Sequence, residues 1–251
     1  MRGCSMGGPR TFNIELQILN EIFTGGPERR SEVIRDTGLI GSLRWWYEAL
    51  IRGVGGTACD PSQGPPCEER LHCDACELFG CSGWSRKFIF RSREESDKTL
   101  KVQITELRRM EDVELALLNK TLSIIENYGA IGGKLAHRKY GIIKIKENDL
   151  RDFTLEKSML QGYLRREGPH VDNPNLKRFI FIKNPNFQLV KRLKNDCRFL
   201  KGSSNRGKRY FNKDPPGSRL FAYANEDEYP RLCECAGEEA KTGEEVLGGL
   251  I

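Results

Sequence analysis

The sequence predicts an α+β fold made of two tandem βαββαβ units, the second of them incomplete. Three observations carry that prediction. Apolar and polar residues alternate from Thr11 to Phe23 and again from Arg86 to Ser92, the period of half-buried strands. Apolar residues recur at helical spacing after Ser42 and after Glu111. Up to Lys146 the segments then follow the order strand, helix, strand, strand, helix, strand.

In the first strand, Phe12, Ile14, Leu16 and Ile18 share one face and Asn13, Glu15 and Gln17 the other; Thr24-Gly25-Gly26-Pro27 ends it. Ser42 is a reasonable N-cap for the first helix, whose buried stripe is Leu43, Trp46, Tyr47, Leu50, Ile51 and Val54. Trp45 falls off that stripe, so it suits either core packing or a surface that meets a partner or a base. Residues 53–83 form an insertion rich in Gly, Pro and Cys, holding Cys59, Cys67, Cys73, Cys76 and Cys81. Cys73-Asp-Ala-Cys76 can supply two corners of a tetrahedral zinc site, and Cys67 and Cys81 are the candidates for the other two, with His72 as an alternative ligand. A disulfide and free buried thiols are the competing readings. Strands follow at Arg86 to Ser92 and near Thr99 to Glu106, then a helix from Glu111 with Leu115, Leu118, Leu122 and Ile125 on its apolar stripe.

That helix runs into Gly129-Ala-Ile-Gly-Gly-Lys-Leu-Ala-His-Arg-Lys-Tyr-Gly141, after which Ile142, Ile143 and Ile145 open a strand. Gly129, Gly132 and Gly133 permit positive φ or a close approach of backbone to a ligand. Lys134, His137, Arg138 and Lys139 concentrate donors beside them. A helix cap accounts for one glycine and part of the charge; the whole loop suits a phosphate backbone. It is not a Walker loop, which needs Ser or Thr after its Lys and a helix downstream, where here Leu135 and a strand follow.

Charge points the same way. Between Lys177 and Lys213 twelve Lys or Arg face one acid, Asp196, whereas from Asp214 to Ile251 nine acids face three basic residues, within a net charge of +6. One face for a polyanion and another kept away from it is the reading. No apolar run reaches the roughly 18 residues of a membrane span, and Met1 to Arg10 lacks a signal-peptide core, which makes cytoplasmic residence the expectation.

Residues 11–146 are therefore expected to form the first unit, 147–175 a linker with a short helix near Leu155 to Leu164, and 176–251 the second. There, Arg178 to Lys183 and Ser218 to Ala224 read as strands, Phe187 to Leu200 as a basic helix, Leu232 to Ala236 as a further strand, and Gly237 to Ile251 as a closing helix.

Gly25-Gly26 after the first strand, Gly41-Ser42-Leu43-Arg44-Trp45-Trp46, Cys73-x-x-Cys76-x-Leu78-Phe79-Gly80 and the glycine loop together resemble the RAMP superfamily of CRISPR effector proteins. Within it they resemble most the first-subunit family of the type III-B (Cmr) complexes. The resemblance covers roughly Thr11 to Ile145. It implies tandem ferredoxin-like (RRM-like) folds, binding of single-stranded guide or target RNA, and assembly with other Cmr subunits into a ribonucleoprotein of antiviral defence. The reading is a non-catalytic subunit that requires no cofactor, with structural zinc as the one candidate ion, and that has no membrane partner. Its RNA contacts are expected from Arg44, Arg86, Lys87, Gly132, Gly133, Lys134, His137, Arg138, Lys139, Lys191, Arg192, Lys194, Arg206, Lys208 and Arg209. The alternatives are a metal-independent endoribonuclease using His137 or His72 with Tyr140 and Lys134, and a scaffold that touches protein only.

Overall fold

The computed structural model describes residues 8–26, 33–95, 98–164, 166–203 and 207–251. These form two four-stranded antiparallel sheets, ordered β2-β3-β1-β4 and β6-β7-β5-β8, each from a βαββαβ run. In the first unit β1 (Thr11–Ile18), α1 (Asp36–Gly53), β2 (Phe88–Glu94), β3 (Thr99–Glu106), α3 (Asp112–Asn127) and β4 (Ile143–Asn148) follow in chain order, with the short helix α2 (Asp74–Phe79) inside the insertion. Period-two alternation sets the register: Ile14 opposes Val102 and Leu16 opposes Leu100, all four buried against α1 and α3. Asn13, Glu15 and Gln103 look out from the other face.

α1 starts six residues before the expected cap. Asp36 sits in its first turn, and its carboxylate accepts from the Ser92 amide at 2.8 Å, which ties the helix start to β2. Ser42 is inside the helix and buried. Gly38 is accepted in the first turns because a Cβ there would lie 2.7 Å from the Thr24 carbonyl oxygen. α3 begins with a capping box. Glu111 and Glu114 satisfy one another's backbone amides, with 2.8 Å from the Glu111 amide to Glu114 Oε2.

The second unit runs β5 (Phe179–Lys183), α5 (Phe187–Asp196), β6 (Tyr210–Lys213), β7 (Arg219–Tyr223), α6 (Tyr229–Ala236) and β8 (Lys241–Thr242), followed by α7 (Gly243–Leu247). All six elements of the motif are present, and the incompleteness read from the sequence reduces to a last strand of two residues. Residues Leu232 to Ala236 are helical, not a strand: Pro230 lies in the first turn, and Leu232, Cys235 and Ala236 at i, i+3 and i+4 make the buried stripe. α4 (Lys157–Tyr163) occupies the linker.

β5 is apolar on both faces for a reason visible in its neighbours. Ile180 and Ile182 pack with Leu189, Leu193 and Leu232 of α5 and α6, while Phe179 and Phe181 turn towards the first unit and join its core. The second sheet therefore has its outer face covered by the first unit. The pair at 45–46 makes that junction. Trp46 is fully buried, its Nε1 donating to the Ala130 carbonyl at 2.8 Å. Trp45 meets Trp46 edge-on at 4.9 Å and lies 6.0–6.3 Å from Phe179, Phe211 and Tyr223. Trp45 is thus packed, partly buried, among aromatic rings of the second unit. Among the described residues no helix is long and apolar enough to cross a membrane.

Candidate nucleic-acid interface

The glycine loop leaves α3 at Gly129, where a Cβ would fall 2.4 Å from Trp46 Cζ2, so the tryptophan that joins the units also fixes the loop's departure. The Ile131 amide donates to the Gly141 carbonyl at 2.8 Å and closes the loop at its neck. Gly132 has φ +99°, and a Cβ on it would lie 2.7 Å from the Phe23 carbonyl oxygen. The Gly133 amide donates to that same oxygen at 2.6 Å. The close approach predicted for these two glycines is therefore made to the chain's own backbone after β1, and the Gly133 N–H is not left for a phosphate.

What the loop presents outward is its side chains. Lys134, His137, Arg138 and Lys139 are all exposed. Lys134 Nζ stands 3.8 Å over the Phe23 ring. Tyr140 stacks on Phe23 at 5.6 Å and 27°, and His137 on Tyr140 at 4.2 Å and 22°. Arg138 pairs with Asp214 of the second unit.

The second unit holds this loop in place. Lys213, 1% exposed at the end of β6, donates to the carbonyls of Leu135 (2.8 Å), His137 (3.0 Å) and Tyr140 (2.7 Å). Arg219 donates to the Glu126 carbonyl near the C-terminus of α3, where the helix leaves acceptors unpaired. Burial, with Lys208 and Arg219 nearby, pushes Lys213 down to about 7, while the three carbonyls favour its ammonium form. Sequence reasoning overlooked Lys213 and β6 alike, because a lysine in a basic run carries no mark of being buried.

The other expected RNA contacts divide. Lys191 is exposed; Lys194 and Lys208 are half-buried, with Nζ atoms 5.5 and 4.2 Å from the Tyr210 ring. Arg86 is half-buried. Arg206 lies outside the described residues. Four residues have partners within the fold. Arg192 donates to the Cys235 and Ala236 carbonyls at the end of α6. Arg209 is buried on Glu228 at 2.6 Å. Lys87 is buried between Glu77 and Glu114, 2.7 Å from each, with Tyr163 also donating to Glu114. Arg44 donates to Glu48 (2.7 Å), the Gly80 carbonyl (3.0 Å) and Cys76 Sγ (3.1 Å). Lys87 and Arg209 are buried and need such partners, which hold them away from a ligand, whereas Arg44 is half-buried and Arg192 is exposed.

The contact from Arg44 leads to the insertion's second feature. Cys59, Cys67, Cys73 and Cys76 are buried, and their sulfurs all lie within 4.8 Å of one another. Cys59 and Cys76 are 3.6 Å apart, close to the roughly 3.8 Å edge of a tetrahedron with metal–sulfur bonds of about 2.3 Å. The Cys59 amide donates to Cys73 Sγ (3.3 Å) and the Cys73 amide to Cys67 Sγ (3.2 Å), so backbone dipoles point at sulfurs that would carry charge. Cys59 takes the place expected for Cys81. At Gly80, φ +79°, the chain turns so tightly that a Cβ would lie 2.6 Å from the Arg86 amide, and Cys81 beyond it is only half-buried and outside the cluster. His72 is not a ligand either: its Nε2 meets Glu77 at 2.8 Å and its ring stacks on Trp84.

Residues 15–107 match the model of the RAMP superfamily. No curated protein matches the chain in sequence. Among solved structures the chain is similar to apo Cmr1 from Pyrococcus furiosus, with 14% identity, a TM-score of 0.49, and coverage of 86% of this chain and 88% of that one.

Proposed function

We propose that this chain, whose first unit carries the RAMP-superfamily match, is a non-catalytic RNA-binding subunit of a type III-B (Cmr) CRISPR ribonucleoprotein acting in the cytoplasm. The observation that supports it most is the clasp of Lys213 on the glycine loop. Through it the basic hairpin of the second unit and the basic loop of the first become one surface, with Lys208 close enough to Lys213 to lower its proton affinity. Lys134, Arg138, Lys139 and Lys208 supply positive charge without a base-reading groove, which suits a sugar–phosphate backbone of any sequence. Guide or target strand would run along the loop, and other subunits of the complex would meet the chain elsewhere.

The non-catalytic part rests on His137. Acid–base cleavage at a 2′-hydroxyl needs a donor and an acceptor on either side of the scissile bond. His137 here receives the Lys139 amide at 3.4 Å and a stacked tyrosine ring, while His72 is engaged with Glu77 in the insertion. A gel shift with single-stranded RNA, scored for both binding and cleavage, tests the reading. Wild type is expected to bind and leave the RNA intact. Changing Lys134, Arg138 and Lys139 together to Ala is expected to weaken binding about tenfold to a hundredfold, as for exposed charge-assisted contacts. Metal-free cleavage at one defined position, abolished by His137→Ala with binding intact, would replace this reading with an endoribonuclease.

The four clustered cysteines support a structural zinc ion, held by Cys59, Cys67, Cys73 and Cys76. All four positions are filled by protein sulfur, leaving none for water or substrate, so the ion would fold the insertion and do no chemistry. Arg44 against Cys76 would offset part of the double negative charge of a zinc tetrathiolate.

A further inference from the structure

We infer that the outer face of the His137 ring is a nucleobase-stacking site. The inference rests on the RNA-binding reading above and adds to it a contact with a base where that reading has contacts with phosphates only. Phe23, Tyr140 and His137 form a column of stacked rings, with tilts of 27° and 22° between neighbours, and Lys134 Nζ stands 3.8 Å over the Phe23 ring. His137 ends the column at the surface. It is exposed, and among the described residues Tyr140 is the one ring stacked upon it. A flat aromatic face open to water beside cations is the arrangement by which single-stranded RNA is held without sequence preference, since every base has a π-face.

The column is also rigid before any ligand arrives. Lys213 holds the carbonyls of both His137 and Tyr140. The backbone of Tyr140 pairs with Glu21, and the Gly141 amide donates to the Glu21 carbonyl at 2.8 Å. The His137 amide donates to the Lys134 carbonyl at 2.8 Å, which fixes the turn that carries the ring. A ring held at so many backbone points loses little freedom when a base lands on it, so the stacking energy goes into affinity. Arg138, which pairs with Asp214, and Lys139 are next in the chain and exposed, and they add positive charge beside that base.

The test is a salt titration of the whole protein with an RNA oligomer carrying 2-aminopurine, whose fluorescence falls on stacking, beside an oligomer with abasic sites. Wild type is expected to quench the probe on binding. His137→Ala should bind the base-bearing RNA about tenfold more weakly, with the quench lost and the salt slope unchanged, because no phosphate contact is removed. His137→Phe should keep both affinity and quench, and the abasic oligomer should not distinguish wild type from His137→Ala. Equal affinity of wild type and His137→Ala, with the steep salt dependence of wild type retained, would overturn the stacking site and leave the RNA-binding reading standing. A shallower salt slope in His137→Ala, with no rescue by Phe, would also overturn it and make His137 a phosphate contact. Failure of wild type to bind RNA at all would overturn both.

Discussion

Cys73→Ser is expected to lose the metal and to unfold the insertion. Wild type prepared without chelator should carry about one equivalent of zinc, and the variant close to none. The stability lost should amount to several kcal/mol, given apparent binding energies of about 10–16 kcal/mol for structural zinc in isolated finger peptides. Removing one corner leaves three buried thiols and the Arg44 guanidinium facing a cavity that no longer has a centre. Cys59→Ser should behave alike and Cys81→Ser should not, a contrast that separates the cluster seen in the fold from the set chosen by spacing. Zinc-free wild type with an unchanged melting temperature would show that these are packed thiols.

Lys213→Met is expected to cost about 2–4 kcal/mol, because the carbonyls of Leu135, His137 and Tyr140 lose their shared donor and water reaches them only in part. RNA affinity should fall as well, although Lys213 is itself buried, since the loop it clasps would no longer be held. The pH dependence gives a second handle. An unfolded lysine titrates near 10.5, and burial pushes Lys213 down to about 7. Between these values the unfolded chain holds a proton that the folded one lacks, so this group's contribution to stability rises with pH across the window. Below about 7 the full cost of the buried charge is present. With three carbonyls tempering the shift, wild type should gain about 1–2 kcal/mol over Lys213→Met from about pH 7 to about pH 9.5. Parallel pH profiles from urea unfolding would mean that the three carbonyls offset the burial in full, whereas a Lys213→Met variant as stable as wild type would contradict the clasp.

The first unit was legible because its signals are periodic. Phe12 to Ile18 alternate cleanly, and the apolar stripe that begins after Glu111 marks α3 without help from tertiary structure. β5 was legible for a related reason, an unbroken apolar run bounded by polar residues. Leu232 to Ala236 misled because five residues fit a period of two as well as a helical stripe, and Pro230 was the decisive signal. Side-chain fate was hardest to read. A count of lysines and arginines treats Lys139 and Arg209 as equals, yet one is exposed and the other is buried on Glu228. Pairing is set by elements distant in sequence, as is the choice of Cys59 over Cys81, where spacing favoured the nearer cysteine and a turn at Gly80 excluded it.

The most direct test of the central reading is the salt dependence of wild-type binding to single-stranded RNA of unbiased sequence. Each phosphate neutralised releases about 0.7 of a counterion from a single strand, so contacts from Lys134, Arg138, Lys139 and Lys208 predict a log–log slope of about −2 to −3, with little effect of base composition and no cleavage. A flat salt response, or no binding at low salt by a folded protein, would contradict it.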